Sequence, residues 1–259
     1  MPPARPAPPP ARGDGPRAGR APCYRLPDDD AALPGALRER RAPAPRPGAH
    51  PPPVELVAIG ASAGGVDALL KLLSPLGPSC APAVVVVLHI PEDRDSRLVE
   101  VFAHHCALPV REAADKAPVQ PGTVYFAGAG YHLSVERDRS FSLSCEPPLH
   151  HSRPSIDLLF ESAADAYGAA CAAFLLTGAS ADGADGLCRV GARGGLTVVQ
   201  SPTEAQVATM PAAALARCSP DFVLGLADIQ RLLSALAAPP RAASLPPVPA
   251  LRNPSDGHR

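Results

Sequence analysis

The sequence predicts an α/β fold: a doubly wound, mostly parallel sheet in a three-layer sandwich, with a small antiparallel β insertion. Strand-like and helix-like segments alternate at both ends of the region 54–236. Two runs, Val84–Leu88 and Ala172–Leu176, are apolar without interruption, which is typical of strands covered on both faces. Residues 123–145 alternate more in polarity and contain turn residues, so they predict the antiparallel insertion.

Each predicted strand is a short apolar or β-branched run between turn residues, and each predicted helix repeats apolar residues every three to four positions. The first strand stops at Gly60, and helical periodicity restarts at Val66. Turns at 128–130 and 137–139 separate the middle strands, and Pro154 suits a first helical turn, where its missing N–H costs nothing. The predicted strands are Glu55–Gly60, Ala83–Ile90, Thr123–Ala127, His132–Glu136, Ser140–Cys145, Ala172–Thr177, Gly195–Gln200 and Phe222–Gly225. The predicted helices are Val66–Leu76, Ser96–Cys106, Pro154–Tyr167, Ala184–Val190, Pro211–Arg217 and Ala227–Leu236.

The composition limits the classes of protein to which the chain can belong. Its 259 residues carry a net charge of −1, so no basic surface field attracts nucleic acid. No apolar run approaches the roughly 20 residues that span a bilayer, and the N-terminus lacks an apolar signal segment. The 7 Cys include no Cys-x-x-Cys motif, which favours reduced thiols over disulfides or metal ligands. We therefore expect a cytoplasmic protein without membrane insertion, nucleic-acid partner, metal or cofactor.

Both ends of the chain differ in composition from its middle. Residues 1–53 hold 16 Pro and 9 Arg against 5 acidic residues, with almost no apolar periodicity. Such a segment buries too little surface to offset its ordering entropy, so it predicts a disordered tail. Residues 237–259 are also rich in Pro and predict a second disordered tail. The region between them, 54–236, is long enough to bury one sizeable core and is the predicted catalytic domain.

Ser62 has the most informative surroundings in the chain. It lies where the first predicted strand ends and the first predicted helix begins. This pattern presents a hydroxyl on a tight strand-to-helix turn, with unpaired N–H groups of the helix behind it. A negative charge that develops on a substrate oxygen would meet backbone donors and the positive end of the helix dipole there. The pattern therefore favours a serine nucleophile.

Two further residues complete a possible catalytic triad. His89 follows the second strand, and Asp182 follows the strand Ala172–Thr177 after a short loop. Because parallel strands bring their carboxyl ends to one edge of a sheet, we expect Ser62, His89 and Asp182 to meet. Ser62 would attack a carbonyl carbon, His89 would act as general base, and Asp182 would orient the imidazole. The backbone N–H of the residue after Ser62, Ala63, is the first oxyanion candidate, and that of Ala179 is the second.

Each of these residues also has a purely structural interpretation. A Ser in a glycine-rich turn is often a helix N-cap, a His after a strand is often a hydrogen-bonded structural residue, and Asp-Gly is a turn signal. The segment Gly60–Gly64 matches the G-x-S-x-G elbow of α/β-hydrolases, but the triad order here differs and no strands precede the elbow. A dinucleotide-binding turn fits less well, because Ser62 replaces its middle glycine. The pairs His104-His105 and His150-His151 have no carboxylate or Cys at ligand spacing, so surface or substrate-rim roles are expected for them.

Six further segments of the sequence are informative together: Gly60–Gly65, Leu88–Pro91, Pro121–Ala127, Arg153–Asp157, Leu176–Ala184 and Thr209–Pro211. They resemble segments of the catalytic domain of the chemotaxis receptor methylesterases, the CheB type. The likeness covers most of 54–236, and the segments occur in the order of that family. Its catalytic Ser, His and Asp fall on Ser62, His89 and Asp182, the residues chosen above from their chemistry.

The resemblance implies a function. It implies hydrolysis of glutamate γ-methyl esters on the cytoplasmic helices of chemoreceptors, with release of methanol, and some family members also deamidate receptor glutamines. Family members often carry an N-terminal receiver domain, which residues 1–53 are too short and too rich in Pro to form. We therefore expect a stand-alone catalytic domain that is constitutive or regulated by a separate receiver or kinase partner.

Two other functions remain open at this point. Ala63, Ala181 and Ala212 stand where the family usually has other residues, which motivates a binding module that has lost efficient chemistry. An esterase that acts on small molecules would share the same mechanism.

Overall fold

A parallel sheet of seven strands forms the centre of the structure, a computed structural model that describes residues 53–89 and 97–238. In chain order, the strands of the whole structure are β1 (Leu56–Ala61), β2 (Ala83–Leu88), β3 (Val110–Glu112), β4 (Val124–Phe126), β5 (His132–Val135), β6 (Phe141–Ser144), β7 (Cys171–Leu175), β8 (Leu196–Gln200) and β9 (Phe222–Leu224). The parallel sheet has the order β3-β4-β2-β1-β7-β8-β9, and β5 and β6 form a separate antiparallel pair. Because β1 lies between β2 and β7, the strand order reverses at β1, and such a switch point is where open α/β sheets bind ligands.

Helices cover both faces of this sheet. They are α1 (Gly65–Leu73), α2 (Leu98–His105), α3 (Ile156–Tyr167), α4 (Ala184–Ala192), α5 (Thr209–Arg217) and α6 (Leu226–Ala237). One core lies between the sheet and α1, α2 and α6, and a second lies between the sheet and α3, α4, α5 and the β5-β6 pair. Along β2, Val84 and Val86 belong to the first core, whereas Val85 and Val87 belong to the second. The predicted doubly wound α/β fold is confirmed, and none of the helices described is long and apolar enough to cross a membrane.

The antiparallel insertion is smaller than the sequence predicts. The prediction assigns 123–145 to it, but β4 lies in the parallel sheet beside β2, and only β5 and β6 are antiparallel. All three residues of β4 are buried, as expected of an interior strand. The pattern does not predict β3, because that strand has only three residues and all are at least partly exposed.

Several predicted boundaries also move. Helix α3 begins at Ile156, two residues after the predicted Pro154, because Ser155 has extended backbone angles and forms the N-cap. Helix α6 continues to Ala237, the first residue of the predicted C-terminal tail. Most of the two predicted tails, 1–53 and 237–259, lies outside the described residues, which exclude 1–52, 90–96 and 239–259.

Gly186 allows α4 to pack closely against α3. A Cβ at this position would lie 2.7 Å from Phe160 Cβ and 2.8 Å from the Asp157 carbonyl oxygen. Gly186→Ala is expected to lower the free energy of unfolding by about 1–2 kcal/mol, although alanine has the higher helix propensity. Gly191→Ala in the same helix is the matched control, since its Cβ would make only one ordinary contact, 3.5 Å from Thr197. Urea unfolding of both variants checks the prediction, and equal effects of the two would contradict it.

Candidate active site

Ser62 follows β1 directly and is fixed by its backbone. Its N–H donates to the Thr177 carbonyl oxygen at 3.0 Å, and its carbonyl accepts from the Gly65 N–H at 2.8 Å. The turn then passes through Gly64, whose φ of 79° is a left-handed conformation that favours glycine. A Cβ on Gly178 would lie 3.0 Å from Ser62 Cβ, so the glycine after β7 lets that loop approach the serine closely.

Helix α1 begins three residues after Ser62, so its N-terminus lies near this serine. Neither Ala63 nor Ala179, the two oxyanion candidates, donates its N–H to any residue that the structure describes. By contrast, the N–H of Gly178 donates to the Val207 carbonyl oxygen at 3.1 Å. The first N–H groups of a helix have no partner within it and carry the positive end of its dipole, so an anion near Ala63 would be stabilised.

Asp182 is buried and accepts four hydrogen bonds. Its Oδ2 accepts from the Ile156 N–H at 2.7 Å and from the His89 ring at 2.8 Å. Its Oδ1 accepts from the Ser155 hydroxyl at 2.8 Å and from the Asp157 N–H at 3.0 Å. The carboxylate therefore caps the N-terminus of α3, a task that the Ser155 side chain does not perform.

These contacts keep Asp182 ionised. Burial alone would raise the pKa of the carboxyl, because it disfavours the charged form. The hydrogen bonds from His89, Ile156, Asp157 and Ser155 outweigh burial and hold the pKa of Asp182 below its ordinary value. A charged acceptor at this position fixes both the helix end and the imidazole.

His89 takes its orientation from Asp182. Since an ionised carboxylate can only accept, Nε2 of the imidazole carries the hydrogen and donates it to Asp182. The other ring nitrogen, Nδ1, then has a lone pair and can act as a base. Nδ1 lies 3.3 Å from the Ser152 hydroxyl oxygen. Among the described residues, no hydrogen bond joins Ser62 Oγ to His89.

Ser62 and His89 line one cavity of about 350 Å³. Leu88 and Leu98 give the cavity apolar wall, and the first turn of α1 supplies Val66. The structure thus brings His89 into contact with Asp182 and gives His89 and Ser62 a shared cavity. An ester held there would be within reach of a hydroxyl, a base and the α1 N-terminus.

Sequence reasoning missed a layer of residues behind this site. His132 is fully buried; its Nδ1 accepts from the Ser155 N–H at 3.1 Å, and its Nε2–H donates to the Pro147 carbonyl oxygen at 3.2 Å. The ring therefore holds the residue that donates to Asp182. A Ser just before a helix is an N-cap signal that could have identified Ser155, but nothing in the strand pattern marks His132.

His150 is exposed, as expected, but the fold gives it a carboxylate partner that its sequence spacing does not indicate. Its Nε2 lies 3.3 Å from Oδ2 of Asp157, because the loop before α3 folds back over the first turn of that helix. Ligand atoms of His150, Asp157 and Asp185 all lie within 4.8 Å of one another. Asp157 also accepts from the Gly186 N–H, and Asp185 pairs with the Arg217 guanidinium at 2.6 Å. These partners satisfy the carboxylates without a metal ion.

Asp157 makes stability depend on pH. Burial, together with the nearby charge of Asp182, raises the pKa of Asp157 from 3.8 to about 6, although the Gly186 N–H opposes this. Between these values the folded protein binds more protons than the unfolded chain, so stability is highest at the low end and falls as the pH rises.

We expect the free energy of unfolding to fall by at most about 3 kcal/mol from pH 4 to pH 6 through this group, and Asp157→Asn to remove that component. Urea unfolding of both proteins across this range measures the difference. The depressed pKa of Asp182 puts its own titration below the range. Parallel pH profiles for the two proteins would contradict the prediction.

A sequence model of the protein family described as CheB methylesterase matches residues 57–233 of the chain. The chain belongs to the CheB methylesterase family. This is a family of serine-type carboxylic ester hydrolases, and membership confirms the expectation that the chain is an enzyme of this type.

Individual CheB-type proteins are similar over most of the described region. A Leptospira interrogans protein, whose name pairs protein-glutamate methylesterase with protein-glutamine glutaminase, is 39% identical over 178 residues, covering 69% of this chain and 92% of the relative. A protein of the same paired name from Anaeromyxobacter dehalogenans is 40% identical over 225 residues, but the chain spans only 63% of its length. The crystal structure of the Thermotoga maritima CheB methylesterase catalytic domain matches with a TM-score of 0.67 and 29% identity, covering 71% of this chain and 98% of that one.

Proposed function

We propose that this CheB-type chain is a protein-glutamate methylesterase. It hydrolyses glutamate γ-methyl esters on the cytoplasmic helices of chemoreceptors, and it works in the cytoplasm. The names of its relatives support the reaction, and family membership supports the substrate. The observation that carries the proposal is the 2.8 Å contact between His89 and a buried, anchored Asp182 at the switch point where Ser62 lies.

Ser62 is the proposed nucleophile. Its Oγ bonds to the ester carbonyl carbon while its proton passes to Nδ1 of His89. The resulting oxyanion takes hydrogen bonds from the backbone N–H of Ala63, in the turn that precedes α1, and of Ala179. Asp182, held ionised by its four hydrogen bonds, balances the imidazolium.

The remaining steps return the enzyme to its starting state. The tetrahedral intermediate collapses, the C–O bond to methoxide breaks, and His89 returns the proton so that methanol leaves. Water then attacks the glutamyl ester on Ser62, gives its proton to His89, and releases glutamate and the free serine. A glutamine side chain would form the same acyl-enzyme with loss of ammonia. We propose this second reaction because the names of the relatives include protein-glutamine glutaminase.

The test is methanol release from membranes that carry cognate, methyl-labelled chemoreceptors. We expect the full chain to release labelled methanol, and ammonia from receptors with glutamine at the same positions. Absence of methanol, with turnover of small esters such as p-nitrophenyl acetate, would favour a small-molecule esterase. Absence of both would favour a binding module of a chemosensory pathway.

A further inference from the structure

The base of the proposed mechanism already has a partner in this structure. Ser152 Oγ lies 3.3 Å from Nδ1 of His89. In the neutral imidazole, which is the form that can act as a base, Nε2 carries the hydrogen that bonds Asp182, so Nδ1 accepts and the Ser152 hydroxyl donates. No hydrogen bond among the described residues joins Ser62 to that nitrogen. The Nδ1 lone pair that would activate Ser62 therefore accepts a hydrogen bond from the Ser152 hydroxyl.

A tight turn holds Ser152 at this position. Leu149 and Ser152 exchange backbone hydrogen bonds of 3.1 and 2.8 Å, with His150 and His151 between them at φ values of 47° and 60°. Two residues with positive φ form this kind of hairpin turn most easily when they are Gly or Asn, so a turn of two histidines needs support from its surroundings.

That support comes from the first turn of α3. The His150 ring lies 3.3 Å from the Asp157 carboxylate, which is itself buried and bonded to the Gly186 N–H at 2.7 Å. On the far side of the turn, Arg153 donates to the carbonyl oxygens of Cys145 and Glu146 at 3.3 and 3.2 Å. His151 is exposed and makes no hydrogen bond to the residues that the structure describes. Of the two histidines in the turn, only His150 has a side-chain contact that stabilises it.

We propose that Ser152 is a positioning residue that occupies Nδ1 of His89 in the resting enzyme. It competes with Ser62 for the single lone pair, so Ser62 stays weakly activated until substrate engages the site and displaces the Ser152 hydroxyl. The His150–Asp157 contact holds the competitor in place. This inference rests on the proposed function, since it assumes that His89 activates Ser62.

The test is the rate at which a fluorophosphonate probe labels Ser62 in the full chain without substrate. From the net free energy of a neutral hydrogen bond, we expect Ser62 in Ser152→Ala to be labelled roughly two- to tenfold faster than in wild type. Ser152→Thr keeps the hydroxyl and should label at the wild-type rate. His150→Ala should label faster because the turn loosens, whereas His151→Ala, its matched control, should not change.

The outcomes separate this inference from the function on which it rests. Wild-type or slower labelling of Ser152→Ala, with unchanged thermal unfolding, overturns the inference and leaves the function intact. Peptide mapping that finds the label on Ser152 overturns it too, because Ser152 would then be a nucleophile. No labelling of Ser62 in any variant overturns the proposed function and this inference together. Faster labelling of Ser152→Ala, with the wild-type rate kept in Ser152→Thr, supports competition for Nδ1.

Discussion

Ser62→Ala is expected to reduce methanol release from methylated receptor membranes at least about 10⁴-fold. The substitution removes the atom that bonds to the ester carbon in the proposed mechanism, and Ser62 carries the only hydroxyl among the described residues that line the cavity with His89. Single-turnover release of labelled methanol, wild type beside variant, measures the loss.

The fold should not depend on this hydroxyl. Ser62 is anchored by its backbone, through the Thr177 carbonyl and the Gly65 N–H, and alanine keeps both contacts. We expect its free energy of unfolding to change by less than about 1 kcal/mol. Ser74→Ala, at the exposed far end of α1, is the control and should affect neither activity nor stability. Full activity in Ser62→Ala would remove the serine from the mechanism.

Asp182→Asn is expected to damage activity and folding together. The two carboxylate oxygens each accept one backbone N–H, from Ile156 and from Asp157. An asparagine must turn its NH2 toward one of these donors, so at least one buried N–H loses its partner whichever way the amide is oriented. We expect a loss of about 2–4 kcal/mol in the free energy of unfolding.

The same substitution should reduce methanol release about 10³- to 10⁴-fold, because a neutral amide neither fixes the tautomer of His89 nor balances the imidazolium. Asp185→Asn is the matched control: it lies three residues further on, is exposed, and pairs with Arg217 on the surface. For that variant we expect the free energy of unfolding to change by less than about 1 kcal/mol and the rate of methanol release to stay the same. If Asp182→Asn unfolded like wild type, the proposed anchoring of α3 would be wrong; if it kept its rate, the role assigned to the carboxylate would be wrong.

The direction of the strands is what made part of the site predictable. Ser62, His89 and Asp182 each follow an apolar run, and parallel strands carry such ends to one edge whatever their separation in the chain. Ser152, Ser155 and His132 come from a loop, a helix cap and a hairpin. Their positions depend on how α3 packs over the sheet, which no local pattern encodes.

The same limit applies to the fold. The unbroken apolar runs of β2 and β7 predict two-sided burial, and the two cores follow from it. The short edge strand β3 has no such run, and β4 is too short for its sequence to distinguish parallel from antiparallel pairing. Only the position of its neighbour β2 decides that question.

The carboxylate that caps α3 makes one protonation act on both the helix and the catalytic imidazole. Because the pKa of Asp182 is depressed, its contribution to stability is complete above the ordinary value of 3.8 and is lost as the pH falls through the folded value. The proton that releases the end of α3 also releases the imidazole of His89. Protonation of Asp182 therefore does not produce an enzyme that is folded but inactive. The loss of activity and the loosening of α3 follow the same titration, and neutralisation should restore both at the same rate.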